Sequence, residues 1–94
     1  MVIPSLRGAL VLKGAAYLED ARGRTRHAED AVMLMACMDD ASGVLLGLSQ
    51  RSRRRVRALV GALTKQTAPW ATHDGVVQAL ARETLGELAD RLHA

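Results

Sequence analysis

The stretch GALVLKGAAYLEDARGRTRHAEDAVMLMACMDD, residues 8–40, decides how the chain folds. Its first ten residues are small or apolar apart from Lys13. Its middle sets Gly23 among Arg22, Arg24 and Arg26, and its last third turns apolar again after Asp30. Apolar residues recur at steps of three and four on either side of the glycine-containing polar run, which is the signature of two helices joined by a turn. The first helix is expected over Leu6 to Asp20, following Pro4 and N-capped by Ser5. The second is expected over Arg26 to Met38, with Thr25 as its cap.

At about 100° per residue, Leu6, Ala9, Leu10, Ala16 and Tyr17 share one side of the first helix, with Lys13 among them. Val11, Ala15 and Leu18 cover the other side. Gly8 and Gly14 weaken this helix by up to about 1 kcal/mol each but let another backbone come close. On the second helix Met33, Leu34, Cys37 and Met38 are expected to supply much of the buried surface. His27 and Asp30 stand three residues apart, so they present polar groups side by side.

Residues 39–47 read as a short connection of one or two helical turns that buries Val44, Leu45 and Leu46. Ser49 then caps an amphipathic helix running to about Thr64, whose apolar stripe is Val56, Leu59, Val60 and Leu63. Pro69 and Trp70 place Thr67 to His73 in a loop, because proline would break a continued helix. Asp74 caps a last helix with the stripe Val77, Ala81, Leu85, Leu88 and Leu92, and with Glu87 and Arg91 at ion-pair spacing. No segment alternates with the period of a strand. The expected fold is all-α: one domain, residues 1–94, forming a small irregular bundle of four main helices plus a short helical turn.

Composition agrees with helix packing. The 94 residues include no Phe, one Trp and one Tyr, so the core must be built from Leu, Val, Met and Ala. A chain of this size buries only about 60 to 65% of its unfolded surface, so its stability is modest. The formal charge of +3 suits an anionic partner. A single Cys37 excludes an internal disulfide and fits a reducing cytoplasm. The apolar run Ala31 to Met38 falls well short of the roughly 20 residues of a membrane span. Lys13 interrupts the apolar run after Arg7, so the N-terminal segment reads as mature structure and not as a signal peptide. The three histidines and one cysteine have no metal-ligand spacing, so no metal site is expected.

Three groups of residues carry chemistry. Lys13 is a compact cation among small and apolar neighbours; it either snorkels to the rim of the core or offers its ammonium to phosphate in a cleft. Asp30 lies in the first turn of its helix, where the helix dipole favours it and Arg26 is within pairing distance. Alternatively it faces Lys13 across the two-helix cleft, orienting that lysine or accepting a proton from an attacking hydroxyl, with His27 in support. Arg51, Arg53, Arg54, Arg55 and Arg57 put five guanidinium groups into seven residues. Arg51, Arg54 and Arg55 cluster on the wheel and could contact an RNA backbone, while the lack of interleaved aromatics counts against base stacking.

Gly-Ala-Leu-Val-Leu-Lys-Gly-Ala-Ala-Tyr (8–17), followed by Arg-x-Arg-His-x-x-Asp-Ala (24–31), resembles the C-terminal motifs of the abortive-infection type nucleotidyltransferases. These include toxins of type IV toxin–antitoxin systems. The resemblance is most specific over Pro4 to Asp40. It implies that Lys13, with Arg26 nearby, contacts the nucleotide phosphates and that Asp30 is the late catalytic aspartate, preceded by His27. Ala31 departs from the leucine common at that place. The family joins a DNA polymerase β-like α/β domain to a helical domain and transfers nucleotides from triphosphates, with transfer RNA as one acceptor.

The family's Gly-Ser motif and its Asp-x-Asp pair occur nowhere in these 94 residues. What the resemblance implies is therefore a truncated or split nucleotidyltransferase-like helical domain, inactive alone and cytoplasmic. It would take Mg²⁺ and a nucleoside triphosphate only when completed by a catalytic domain. Its expected partners are that separate domain or an antitoxin, RNA through Arg51 to Arg57, or a second copy of the chain. The competing expectation is a basic helical module that binds nucleic acid or protein.

Overall fold

The structure, a computed structural model, describes the backbone of residues 5–93 and their side chains apart from Ser42 and His93. Pro4, read as preceding the first helix, lies outside the described residues. The chain forms α1 (Leu6–Glu19), α2 (Arg24–Ala36), a four-residue turn α3 (Ala41–Val44), α4 (Gln50–Lys65), a 3-10 turn over Ala68–Trp70, and α5 (Gly75–His93). Among the described residues there is no strand, and the fold is the small all-α bundle of four main helices with an extra turn. Among the described residues no helix is long and apolar enough to cross a membrane.

Three of the four expected caps form. The Ser5 side chain accepts from the Gly8 N–H at 3.0 Å, Ser49 from Ser52 at 3.1 Å, and Asp74 from Val77 at 2.9 Å. Each satisfies a first-turn donor that has no partner within its helix. Thr25 is the exception: α2 starts at Arg24, and Thr25 lies inside it. The turn closes earlier because the Asp20 carboxylate takes the Gly23 N–H at 3.1 Å.

α2 is the central element, packed against α1, α4, α5 and the 3-10 turn. Its buried face is Ala28, Ala31, Val32 and Met35. That corrects half of the sequence expectation: Cys37 is exposed and Met33 is 44% exposed, while Leu34 and Met38 are partly buried against the core. Size on the wheel points to the methionines, whereas three helices converging on one face leave room beside the backbone chiefly for alanine. The stripes of α4 and α5 lie as expected: Val56, Leu59, Val60 and Leu63 are buried, as are Ala81, Leu85, Leu88 and Leu92, with Val77 half-buried. In the connection Val44 and Leu45 are buried but Leu46 is 71% exposed. A single turn can direct only one side inward.

Trp70 fastens the far end of the bundle. Its indole N–H donates to the Leu63 carbonyl at 3.0 Å, satisfying a group near the end of α4, and the Arg82 guanidinium lies 4.3 Å from its ring centre. Gln78 donates to the carbonyls of Trp70 and His73 at 3.0 and 2.9 Å. The buried Thr84 hydroxyl donates to the Met35 carbonyl at 2.9 Å and ties α5 to α2. Glu87 and Arg91 make no ion pair: among the described residues the ion pairs are Lys13–Asp30 and His27–Asp20. Both side chains are exposed, where an ion pair gains little over hydration.

Candidate functional site

Gly14 sets the site's geometry. It is buried where α1 crosses α4, and a Cβ placed on it would stand 2.5 Å from the Arg55 carbonyl oxygen and 2.9 Å from the Arg55 Cβ. Only a residue without a side chain allows that approach. With α1 held this close to α4, Lys13 emerges beside α2. Its Nζ donates to Asp30 Oδ2 at 2.8 Å, bridging residues 17 apart in sequence.

The pair is only partly covered, with Lys13 34% and Asp30 47% exposed in their side chains. An ion pair so open to water contributes on the order of 0.2–1 kcal/mol, so stability is a weak reason for its placement. An ammonium has three donors and one of them is used on Asp30, which leaves two that a phosphate oxygen can accept. Asp30 is thus paired with Lys13 across the helix interface and not with Arg26. Arg26, one turn earlier on α2, is exposed and lines a shallow pocket with Asp20, Arg22, Gly23 and His27.

His27 stands apart from the Lys13–Asp30 pair. Its Nε2 lies 3.2 Å from Asp20 Oδ2, and its Nδ1 is buried without a hydrogen-bond partner. Asp20 sits at the C-cap of α1 and takes both the Gly23 N–H and His27. Those two contacts, the Gly23 backbone donor first, hold its carboxyl below the usual carboxylate range. A side chain at Gly23 would meet the Asp20 carboxylate and have to displace it from this turn. Arg24 completes the turn: Nε donates to the Tyr17 carbonyl at 2.9 Å, a second nitrogen to the Leu18 carbonyl at 3.4 Å, and the guanidinium lies 5.5 Å from the Tyr17 ring centre. A cation on the last carbonyls of α1 complements the helix dipole.

Asp20 and Arg24 do not stand out in the sequence as site residues. The signal for Asp20 is the Asp-x-x-Gly spacing of 20–23, the same side-chain-to-third-residue turn that Asp40 makes with Gly43 at 3.2 Å. From the loop before α5, His73 Nε2 donates to the Glu29 carbonyl at 2.9 Å and ties that loop to the residue adjoining Asp30.

The basic segment of α4 is arranged differently from its helical wheel. Arg51, Arg53, Arg54 and Arg57, with Gln50, line one open groove. Arg55 does not join them, because its backbone and Cβ press on Gly14 and it is half-buried toward α1. Metal binding has no donor set here: among the described residues no three of His, Cys, Asp and Glu gather closely enough to hold an ion. The chain matches no protein family, no curated protein and no solved structure.

Proposed function

We propose that this chain is the helical portion of a split nucleotidyltransferase, and that it supplies the cationic half of a triphosphate site. The observation that carries this reading is the Lys13–Asp30 pair, held between two helices by a glycine contact yet open to solvent. In this reading Asp30 is a positioning residue. It fixes the ammonium so that the two remaining donors are free for phosphate, and a fixed cation there stabilises the charge that shifts onto the leaving oxygens during transfer. Arg26, one turn before Asp30 on α2 and lining the neighbouring pocket, is the second cation that this reading assigns to the phosphates. His27, bound to Asp20, serves the turn that sets α2 against α1. Among the described residues no donor set gathers to hold magnesium, so this reading routes no step through a metal on this chain and assigns the metal-holding carboxylates to a separate catalytic domain.

The test is binding of a nucleoside triphosphate to the 94-residue protein, followed by amide chemical shifts. Shifts centred on Lys13, Asp30 and Arg26 are expected. Lys13→Met should abolish them while changing unfolding free energy by no more than about 1 kcal/mol, the value of a half-exposed pair. Shifts elsewhere, or binding that survives Lys13→Met, would overturn the reading. Label transferred to transfer RNA from the triphosphate and Mg²⁺ by this chain alone would overturn the division of labour.

A second reading has its own observation. Arg51, Arg53, Arg54 and Arg57 share a groove, and none of them is in an ion pair among the described residues. Four uncompensated guanidinium groups on one helix face suit a phosphate backbone. The two readings are compatible, one concerning the nucleotide and the other a nucleic-acid acceptor.

A further inference from the structure

α1 has an uncovered apolar side. Leu12 is 62% exposed, and with Ser5, Arg7, Gly8, Val11, Leu48 and Ser52 it lines a shallow groove between α1 and the start of α4. Gly8, Val11, Leu12 and Ala15 follow at the first, fourth, fifth and eighth places of one helical repeat. That is the four-residue hole which accepts a side chain from a facing helix. The hole has small residues at two corners and a protruding leucine at a third, so the same surface offers both a socket and a knob.

We infer that α1 pairs antiparallel with α1 of a second copy about a two-fold axis near Leu12, each Leu12 entering the other copy's socket. A two-fold contact requires a patch complementary to itself, and a socket that carries its own knob satisfies this. The charges point to the same occupant. α1 has no acidic residue in its first turn and no basic residue in its last, and instead carries Arg7 near its start and an exposed Glu19 at its end. Within one copy both charges oppose the helix dipole. An antiparallel copy brings its Glu19 to the N-terminal end beside Arg7, and its Arg7 to the C-terminal end, so each charge meets an opposite charge and a favourable dipole. A helix of 14 residues gives a short contact, which fits a weak, reversible dimer. Lys13 lies about 150° round α1 from the centre of that hole, which leaves its pair with Asp30 clear of the contact.

The experiment is sedimentation velocity on the full chain over a roughly hundredfold range of concentration, where a concentration-dependent dimer is expected. Leu12→Lys, at an exposed site, should leave the helical circular dichroism intact and weaken the dimer by at least about tenfold. Arg7→Glu or Glu19→Arg alone should weaken it, and the two together should restore association. In a Cys37→Ser background, Leu12→Cys should form an intermolecular disulfide under mild oxidation much faster than Leu46→Cys, a comparably exposed control. A monomer at every concentration would overturn the inference and leave the groove to a different protein. A dimer indifferent to Leu12→Lys, with cross-linking no faster than at position 46, would equally overturn it.

Discussion

One absent methyl group at residue 14 governs how close α1 and α4 lie, and through that where Lys13 points. Alanine normally favours a helix over glycine by up to about 1 kcal/mol, so propensity alone predicts that Gly14→Ala stabilises. At 2.5 Å from a backbone carbonyl oxygen the new methyl has no flexible neighbour to displace, and overpacking of this kind costs about 1–3 kcal/mol. We expect net destabilisation of about 1–2 kcal/mol, lowering Tm by roughly 5–15 °C in a domain of this size. Gly86→Ala is the internal comparison. Nothing lies within 4 Å of a Cβ there, so thermal unfolding should show a gain of about 0.5–1 kcal/mol. A Gly14→Ala protein as stable as the parent would mean that the helices separate freely and do not fix the lysine.

At the scale of elements, the turn between α1 and α2 is the part least legible in the sequence. Caps at Ser5, Ser49 and Asp74 are legible because each precedes an apolar periodic run, and the stripes of α4 and α5 because their periodicity is strong. The bundle follows from those features. The face of α2 is not legible, since a wheel ranks Met33 and Cys37 above Ala28 and Ala31, whereas crowding by three neighbouring helices favours the smaller residues. Lys13 and Asp30 can be singled out as chemically unusual, but the glycine contact that aims one at the other belongs to α4, 41 residues away in the case of Arg55. His27 and Asp30 share a face on the wheel, which suggests that they act together. The partner of His27 is Asp20 instead, supplied by the end of the preceding helix through a loop whose path no wheel represents. The Asp20 carboxylate also gives this turn a pH dependence. Its folded-state value lies below the ordinary 3.8, so its charge stabilises the fold fully above that pH, and the contribution is lost as pH falls through the lower folded value. Asp20→Asn should therefore lower Tm at neutral pH, with the difference from the parent narrowing below about pH 3.8. A difference constant from neutral pH to strong acid would show that the charge on Asp20 does not matter to the turn.

Over the whole molecule the net charge of +3 is unevenly presented. The open groove of α4 carries Arg51, Arg53, Arg54 and Arg57, while Asp39, Glu83 and Glu87 line a separate groove between the end of α2 and α5. If α4 is the nucleic-acid surface proposed above, this field steers a polyanion to it and binding there releases counterions. The affinity for duplex nucleic acid should then fall linearly with salt on logarithmic axes, with a slope set by the number of phosphates neutralised. Arg54→Gln should weaken binding and flatten that slope by about 1, because one phosphate fewer is neutralised. Arg55→Gln should do far less, although the two are neighbours on the wheel, because residue 55 is turned toward α1. Gel-shift titrations at several salt concentrations distinguish the two substitutions. Equal weakening at 54 and 55 would mean that binding follows charge density along the chain and not the groove. An unchanged slope in both would remove α4 as a candidate nucleic-acid surface.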